Sequence, residues 1–224
     1  MATGSISKER IRTPDDVEAG LDALVALDAR LAAVRAAAGP VPLRLSPPGL
    51  ESLVAIIVGQ QVSRASADAI LGRLTRLVGP MTAQALLEAG EARFVEAGLS
   101  RAKQRTMLAL GRAVADGNLE LAGLQSCAPD DAMRQLTAVA GIGPWTAECY
   151  LMFAAGHRDI FPAGDVALRA AVGEGLGMPA RPGLREVAAL AESWSPWRSV
   201  AARLFWAYYA RRRGRDAAPP SPTG

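Results

Sequence analysis

The chain has 224 residues, half of them apolar, which is enough for one large domain or two small ones with a sizeable core. The formal net charge is only +3, so charge alone is compatible with nucleic acid and does not establish it. With only Cys127 and Cys149, a four-cysteine iron–sulfur cluster is excluded within one chain. Without a signal-peptide pattern or an apolar run of about 18 residues, a soluble cytoplasmic protein is expected.

The composition of the whole chain favours helices over sheets, because alanine is abundant and aromatic residues are scarce. Residues 1–13 are expected to be flexible. From 14 to 38 apolar residues recur at helical spacing, which predicts one amphipathic helix that ends at a Gly-Pro-Val-Pro stretch. A strongly apolar helix is predicted from Gly49 to about Val58.

A tight junction, Gly59-Gln60-Gln61-Val62-Ser63, follows that helix. Gly59 breaks one helix, and Ser63 can cap the next, which is predicted to reach Val78. Gln60 and Gln61 lie in an apolar setting, so their amides need hydrogen-bond partners. The simplest interpretation is that they bond to backbone at helix ends.

A second junction, with Ser100 as the predicted N-cap, begins a helix that runs to Asp116. Arg101, Lys103 and Arg105 cluster at its start. Such charges are either a solvated helix face or contacts to nucleic-acid phosphates, and the sequence leaves both interpretations open.

A glycine hairpin, Gly141-Ile142-Gly143-Pro144, separates two apolar helices that are predicted over 130–139 and 145–155. Glycine permits positive φ or close approach by another chain, and Pro144 suits the first turn of a helix. A helix start of this kind presents backbone N–H groups that bind phosphate well. The alternative is a plain helix–turn–helix connection.

A lone carboxylate, Asp165, follows a Pro-Ala-Gly turn and precedes a helix predicted over 166–176. Aspartate is a preferred N-cap, and a capping carboxylate at the positive end of a helix dipole is expected to be ionised. Further helices are predicted over 182–193 and up to about Arg211. Residues 212–224 are polar and proline-rich, so disorder is expected there.

Two of these motifs resemble one family. LTAVAGIGPWTA (136–147) is similar to the helix–hairpin–helix of the DNA glycosylase superfamily, and DIFPAGDVALR (159–169) resembles its Gly/Pro-rich loop and catalytic aspartate. The closest branch is 3-methyladenine DNA glycosylase II, in its compact form without an N-terminal β domain. The resemblance implies an all-α domain over 14–211, with two helical subdomains flanking an active cleft. One subdomain would span about 63–155, and the N- and C-terminal helices would form the other.

The resemblance implies that alkylated purines are flipped out of duplex DNA and that their N-glycosidic bond is hydrolysed, which leaves an abasic site. Asp165 would stabilise the positive charge that develops on the sugar and would orient or deprotonate water. The chain departs from many members in one respect, since Gly164 replaces the first of two consecutive acids.

A cationic alkylated base is recognised by aromatic stacking, so the base pocket should hold aromatic residues. Trp145 is the best candidate, followed by Tyr150, Trp206 and Tyr209; for the last three, core packing is the favoured alternative. Bifunctional glycosylase/lyases of the superfamily carry a Schiff-base lysine at the position of Trp145. A monofunctional enzyme is therefore expected.

The resemblance also implies the contacts to double-stranded DNA, the expected partner. IVGQQVS (57–63) resembles the loop that enters the minor groove, with Gln61 as the inserting side chain. The implied DNA-binding residues are Gln60, Gln61, Ser63, Arg101, Lys103, Gly141, Gly143 and Thr146.

No cofactor is expected to be required, and a monomer is expected. The resemblance implies a structural Na⁺ or K⁺ at the hairpin, held by the backbone carbonyls of Thr137, Val139 and Ile142. The lesion range stays open among 3-methyladenine, 7-methylguanine, ethenoadenine and hypoxanthine. The rival hypotheses are a non-catalytic helix–hairpin–helix DNA-binding protein and an all-α interaction protein that does not bind DNA.

Overall fold

The computed structural model describes residues 10–214 and residue 218. These residues form eleven α-helices and one short 3-10 turn, and their only β-type pairing is an isolated bridge between Arg10 and His157. The all-α prediction is therefore confirmed for the described part of the chain. No described helix is long and apolar enough to cross a membrane.

The helices follow one another with short connections. In chain order they are α1 (Pro14–Leu27), α2 (Leu31–Ala38), α3 (Leu50–Gly59), α4 (Arg64–Val78), α5 (Ala83–Ala97), α6 (Arg101–Ala115), α7 (Pro129–Thr137), α8 (Pro144–Phe153), α9 (Val166–Gly175), α10 (Leu184–Glu192) and α11 (Arg198–Arg213).

The chain divides into two compact units. Among the described residues, the first unit comprises 10–45, 156–214 and 218, and the second comprises 46–155. The second unit begins earlier than the position of about 63 that the sequence suggested, because α3 packs on α4, α6 and α8.

In the first unit, α11 is the central helix and packs against α1, α2 and α9. Its residues from Ser199 to Trp206 are all buried, which accounts for the weak amphipathic pattern of this segment in the sequence. In the second unit, α3 has the same central position, with every residue from Ser52 to Val58 buried.

The single helix predicted over 14–38 is wrong, since the structure breaks it into α1 and α2 at Asp28. The Asp28 carboxylate accepts the backbone N–H of Arg30 at 3.1 Å and the indole N–H of Trp194 at 3.1 Å. A short aspartate side chain that bonds the backbone two residues on favours a turn over a continued helix.

The segment just before α1 is ordered as far as it is described, although it was expected to be flexible. Ile11 is fully buried, and its N–H donates to the Gly156 carbonyl at 2.8 Å. Thr13 caps α1 by accepting the N–H of Asp16. Residues 1–9 lie outside the described part of the chain, so the prediction is untested there.

At the other end, α11 extends to Arg213, two residues beyond the predicted end. Arg212 and Arg213 both contact the carboxylate of Glu174 on α9, which holds this last turn in place. The prediction of a disordered tail from 212 is therefore wrong for its first residues. Of the rest, 215–217 and 219–224 lie outside the described residues.

Candidate active site and nucleic-acid interface

Asp165 lies at the N-terminus of α9 and is half-buried. One oxygen of its carboxylate, Oδ1, accepts the backbone N–H of Leu168 at 2.7 Å. Its own N–H donates to the Pro162 carbonyl at 2.9 Å, and its carbonyl accepts the N–H of Arg169 at 3.0 Å. The predicted N-cap is confirmed, and the carboxylate is held in one orientation at the positive end of a helix.

The loop before Asp165, residues 156–165 (the acid loop), is fixed to the start of α11. The Ser199 hydroxyl accepts the Ile160 N–H at 3.0 Å and lies 2.7 Å from the His157 carbonyl. Asp159 accepts two side-chain hydrogen bonds from Arg198, at 2.8 and 3.1 Å. Sequence reasoning missed these anchors, because the two segments are about forty residues apart.

The charge state of Asp159 favours its hydrogen bonds with Arg198. Burial raises the pKa of its carboxyl, but hydrogen bonds from Arg198 and Ser195 outweigh burial and lower the pKa overall. Asp159 is therefore a charged partner of Arg198 over the neutral pH range. The pair fixes the acid loop through two parallel charge-assisted bonds, a geometry that limits its motion.

Aromatic packing holds the middle of the acid loop. Phe161 lies 5.4 Å from Trp194, which in turn lies 5.3 Å from Phe205 of α11. Phe161 is buried, whereas Gly164 is exposed, and a Cβ added to Gly164 would meet no atom within 4 Å. Packing therefore does not explain why glycine replaces the first of the two acids that many members have.

The glycine hairpin connects α7 to α8 in the second unit. Gly141 has φ of +89°, and Ile142 is buried and donates its N–H to the Val139 carbonyl at 3.0 Å. Gly143 is the N-cap of α8 with an ordinary φ of −88°. Of the two predicted uses of glycine, positive φ is therefore confirmed for Gly141, and close approach by another chain stays a prediction for Gly143. No side chain caps α8, and the first-turn N–H groups of a helix lack intrahelical partners.

The junction after α3 is another exposed loop of the second unit. Gln61 is exposed with φ of +56°, a conformation that non-glycine residues adopt rarely. Val62 is 39% exposed beside it, an apolar neighbour that the sequence did not single out. Ser63 caps α4, as predicted, through the Ser66 N–H. The loop thus exposes two neighbouring side chains, those of Gln61 and Val62, to solvent.

The Thr146 side chain is only 2% exposed. Its hydroxyl accepts the Gln60 amide N–H at 2.6 Å, so the Gln60 donor is used inside the protein as well. This hydrogen bond connects the junction after α3 to α8, and the contacts of both residues with DNA stay predictions.

Lys103 is likewise turned inward. Its ammonium donates to the carbonyls of Val58 and Gln60, at 2.7 and 2.8 Å, and burial lowers its pKa. Two of its three donors are therefore used inside the protein, and its contact with DNA phosphate stays a prediction. Arg101 and Arg105, on the same helix, are exposed.

The aromatic candidates divide by burial. Tyr150 is fully buried in the second unit, where its hydroxyl accepts the Gly49 N–H at 3.0 Å and burial raises its pKa to about 12. Trp206 is 2% exposed in the first unit. Neither presents a face for stacking, so both are corrected to core residues. Trp145, at the start of α8, is half-buried and stays a candidate.

Comparisons with known proteins agree with this architecture. Residues 54–196 match the model of the HhH-GPD superfamily base excision DNA repair proteins, which is more than half of the chain. The chain therefore belongs to the HhH-GPD superfamily.

A structure of DNA-3-methyladenine glycosidase from Bacillus halodurans is similar, with a TM-score of 0.77 and 30% identity over 88% of this chain and 92% of that one. A Schizosaccharomyces pombe 3-methyladenine DNA glycosylase in complex with abasic DNA has a TM-score of 0.77 over 86% of this chain and 95% of that one; at 22% identity it supports the fold alone.

Among curated relatives, a Mycobacterium tuberculosis protein described as a probable bifunctional transcriptional activator/DNA repair enzyme is 33% identical over 210 residues. The alignment covers 88% of this chain and 41% of that protein. This chain thus spans less than half the length of that relative.

Proposed function

We propose that this protein is a DNA glycosylase that removes alkylated purines of the 3-methyladenine type from double-stranded DNA. The observation that carries the proposal is Asp165, a carboxylate fixed by helix capping at the end of an anchored loop. Family membership and the likeness to a 3-methyladenine glycosidase support the same reaction.

In the proposed reaction, the bond between C1′ of the deoxyribose and the base nitrogen breaks, and positive charge develops on the sugar. The Asp165 carboxylate stabilises this charge and orients or deprotonates the attacking water. The alkylated base already carries positive charge and leaves without a strong general acid. One fixed carboxylate is therefore sufficient.

The second unit supplies the proposed contacts to DNA. The uncapped N-terminus of α8, with Gly143 at its start, would bind a backbone phosphate through main-chain N–H groups. Gln61 would enter the minor groove and fill the gap left by the extruded base, with Val62 beside it. Arg101 would add a phosphate contact, and half-buried Trp145 would stack on the base.

We further propose a monofunctional enzyme without lyase activity. Lyase chemistry needs an amine that attacks C1′, and the two lysines of the chain are Lys8 and Lys103. Trp145 occupies the position of the Schiff-base lysine, and the amine of Lys103 is bonded to two carbonyls.

Borohydride treatment of the enzyme with lesion-bearing duplex is therefore expected to trap no covalent protein–DNA adduct, as seen by denaturing electrophoresis. A bifunctional 8-oxoguanine glycosylase/lyase serves as the positive control. A trapped adduct with the present protein would contradict the monofunctional assignment.

We also propose that the hairpin binds a monovalent cation. α7 ends at Thr137, whose carbonyl lacks an intrahelical donor and suits Na⁺ or K⁺. The Val139 carbonyl already accepts the Ile142 N–H and would bind the ion through its second lone pair. The carbonyls of Thr137, Val139 and Ile142 would hold it, and it would strengthen phosphate binding without taking part in the chemistry.

The proposed enzyme needs no cofactor and works as a monomer on chromosomal DNA in the cytoplasm.

The direct test is an abasic-site assay on methylated duplex DNA. Treatment with the protein should create sites that hot alkali cleaves, while the unmethylated duplex stays intact. A non-catalytic DNA-binding protein would retard both duplexes in a gel and leave them alkali-stable. An interaction protein without DNA affinity would retard neither.

A further inference from the structure

Lys103 lies in the first turn of α6, and its side chain reaches the end of α3. Its ammonium bonds to two carbonyls at the end of α3, Val58 at 2.7 Å and Gln60 at 2.8 Å. The last carbonyls of a helix have no intrahelical donor, and a cation there also interacts favourably with the helix dipole. Lys103 thus acts across 43 residues of sequence as a cap for α3.

The junction that follows α3 has a second attachment on its other side. The amide of Gln60 donates to the hydroxyl of Thr146 at 2.6 Å, and Thr146 is buried in α8. The Gln60 backbone is therefore held by α6 and its side chain by α8. Directly after these two attachments comes Gln61, exposed and at φ of +56°.

The left-handed conformation of Gln61 is unfavourable for a glutamine in isolation, and such residues persist only where their surroundings determine them. The hydrogen bond from Lys103 to the Gln60 carbonyl and the one from the Gln60 amide to Thr146 provide such surroundings for Gln61. If either were lost, the loop would relax toward conformations in which Gln61 no longer protrudes in the same direction.

We propose that Lys103 is a positioning residue that, together with the Gln60–Thr146 hydrogen bond, holds Gln61 ready to fill the gap left by an extruded base. This inference rests on the proposed glycosylase function and assigns a role to a basic residue whose position alone suggests a phosphate contact.

The two roles of Lys103 predict different binding behaviour. A phosphate contact contributes equally to every duplex, and its loss reduces the slope of log K against log salt concentration by about 0.9. A positioning residue contributes only where a gap exists to be filled. Its loss should weaken binding to a duplex with an abasic-site analogue. The affinity for undamaged duplex and the salt slope should stay unchanged.

The experiment measures the affinity of the full chain for two duplexes, one undamaged and one with a tetrahydrofuran abasic analogue, over a series of salt concentrations. Lys103→Met keeps the apolar stem and removes the ammonium. It is expected to reduce the preference for the abasic analogue about tenfold, the change in affinity that corresponds to the loss of one charge-assisted hydrogen bond. The slope of log K against log salt concentration should not change. Arg101→Met, on the same helix and exposed, is the matched control and should weaken both duplexes equally with a reduced slope.

Two further variants keep the inference falsifiable if Lys103→Met does not fold. Thr146→Val removes the other attachment and should cause the same selective loss of preference. In a Gln61→Ala background, Lys103→Met or Thr146→Val should cause no additional loss, because the side chain that they position is gone.

An equal weakening of both duplexes with a reduced slope in Lys103→Met would overturn the inference in favour of a phosphate contact. An unchanged preference in Lys103→Met and Thr146→Val would overturn it as well. If instead the wild-type chain shows no preference for the abasic analogue, the proposed glycosylase function itself fails.

Discussion

Replacing Asp165 with asparagine is expected to lower the single-turnover rate of base release by about 100-fold or more, the usual effect of losing a charge-stabilising group. Asparagine caps helices about as well as aspartate, so the Leu168 N–H keeps its acceptor and the fold should not change. The variant should also bind lesion-bearing DNA as the wild type does, since its hairpin and loops are intact. Only the negative charge is lost.

Asp16→Asn is the matched control for this prediction. Asp16 also lies at a helix N-terminus in the first unit, where its carboxylate accepts the backbone N–H groups of Arg12 and Thr13. Its replacement removes one charge from a helix start without affecting the acid loop, so base release should continue at the wild-type rate. If Asp165→Asn also released base at close to the wild-type rate, Asp165 would be a helix cap and nothing more.

The two glycines of the hairpin are expected to respond to alanine in opposite ways. Gly141→Ala should destabilise the protein by about 2–4 kcal/mol, because the new Cβ would lie 2.0 Å from Thr106 Oγ1 at a residue with φ of +89°. Gly143→Ala should leave the melting temperature unchanged, since its φ is ordinary and its Cβ would meet nothing within 4 Å.

Gly143→Ala should still weaken binding to all duplexes alike, with or without a lesion. The added methyl group would obstruct the approach of a phosphate to the N-terminus of α8, and phosphate contacts carry no base information. Thermal melting and gel-shift titration together check both variants. A lowered melting temperature with normal DNA affinity in Gly143→Ala would mean that the hairpin is only a structural turn.

A double variant tests the physical cause of the Gly141 effect. Thr106→Ala removes the two side-chain atoms at 2.0 and 3.1 Å from the added Cβ. Combined with Gly141→Ala, it should recover part of the lost stability and leave the cost of the positive φ and of the remaining close contact with the Thr106 Cβ, at 3.0 Å. A double variant no more stable than Gly141→Ala would contradict the steric explanation.

Local features of the site were predictable from the sequence because their causes are local. Asp165, Ser63 and Ser100 were predicted as N-caps from residue type and position, and each accepts the N–H three residues on. The hairpin follows from two glycines and a proline at a helix start. Such signals depend only on the chemistry of neighbouring residues.

The features that the sequence did not predict concern side chains whose partners are distant in sequence. Asp28 breaks the first predicted helix with help from Trp194, 166 positions away. Lys103 and Thr146 resemble DNA contacts in the sequence, but each has a partner at the end of α3. Tyr150 is likewise fully buried, and its hydroxyl is satisfied by the Gly49 N–H, a partner that no periodicity encodes.

Excision of an alkylated purine as a free base is tested most directly by chromatographic identification of what the protein releases from a methylated duplex. Free 3-methyladenine is expected, with a DNA strand that stays uncut until alkali is added, and none is expected with Asp165→Asn over the same time. Recovery of all the methylated purine in the polymer fraction, despite salt-dependent binding of the duplex, would contradict the proposed glycosylase function.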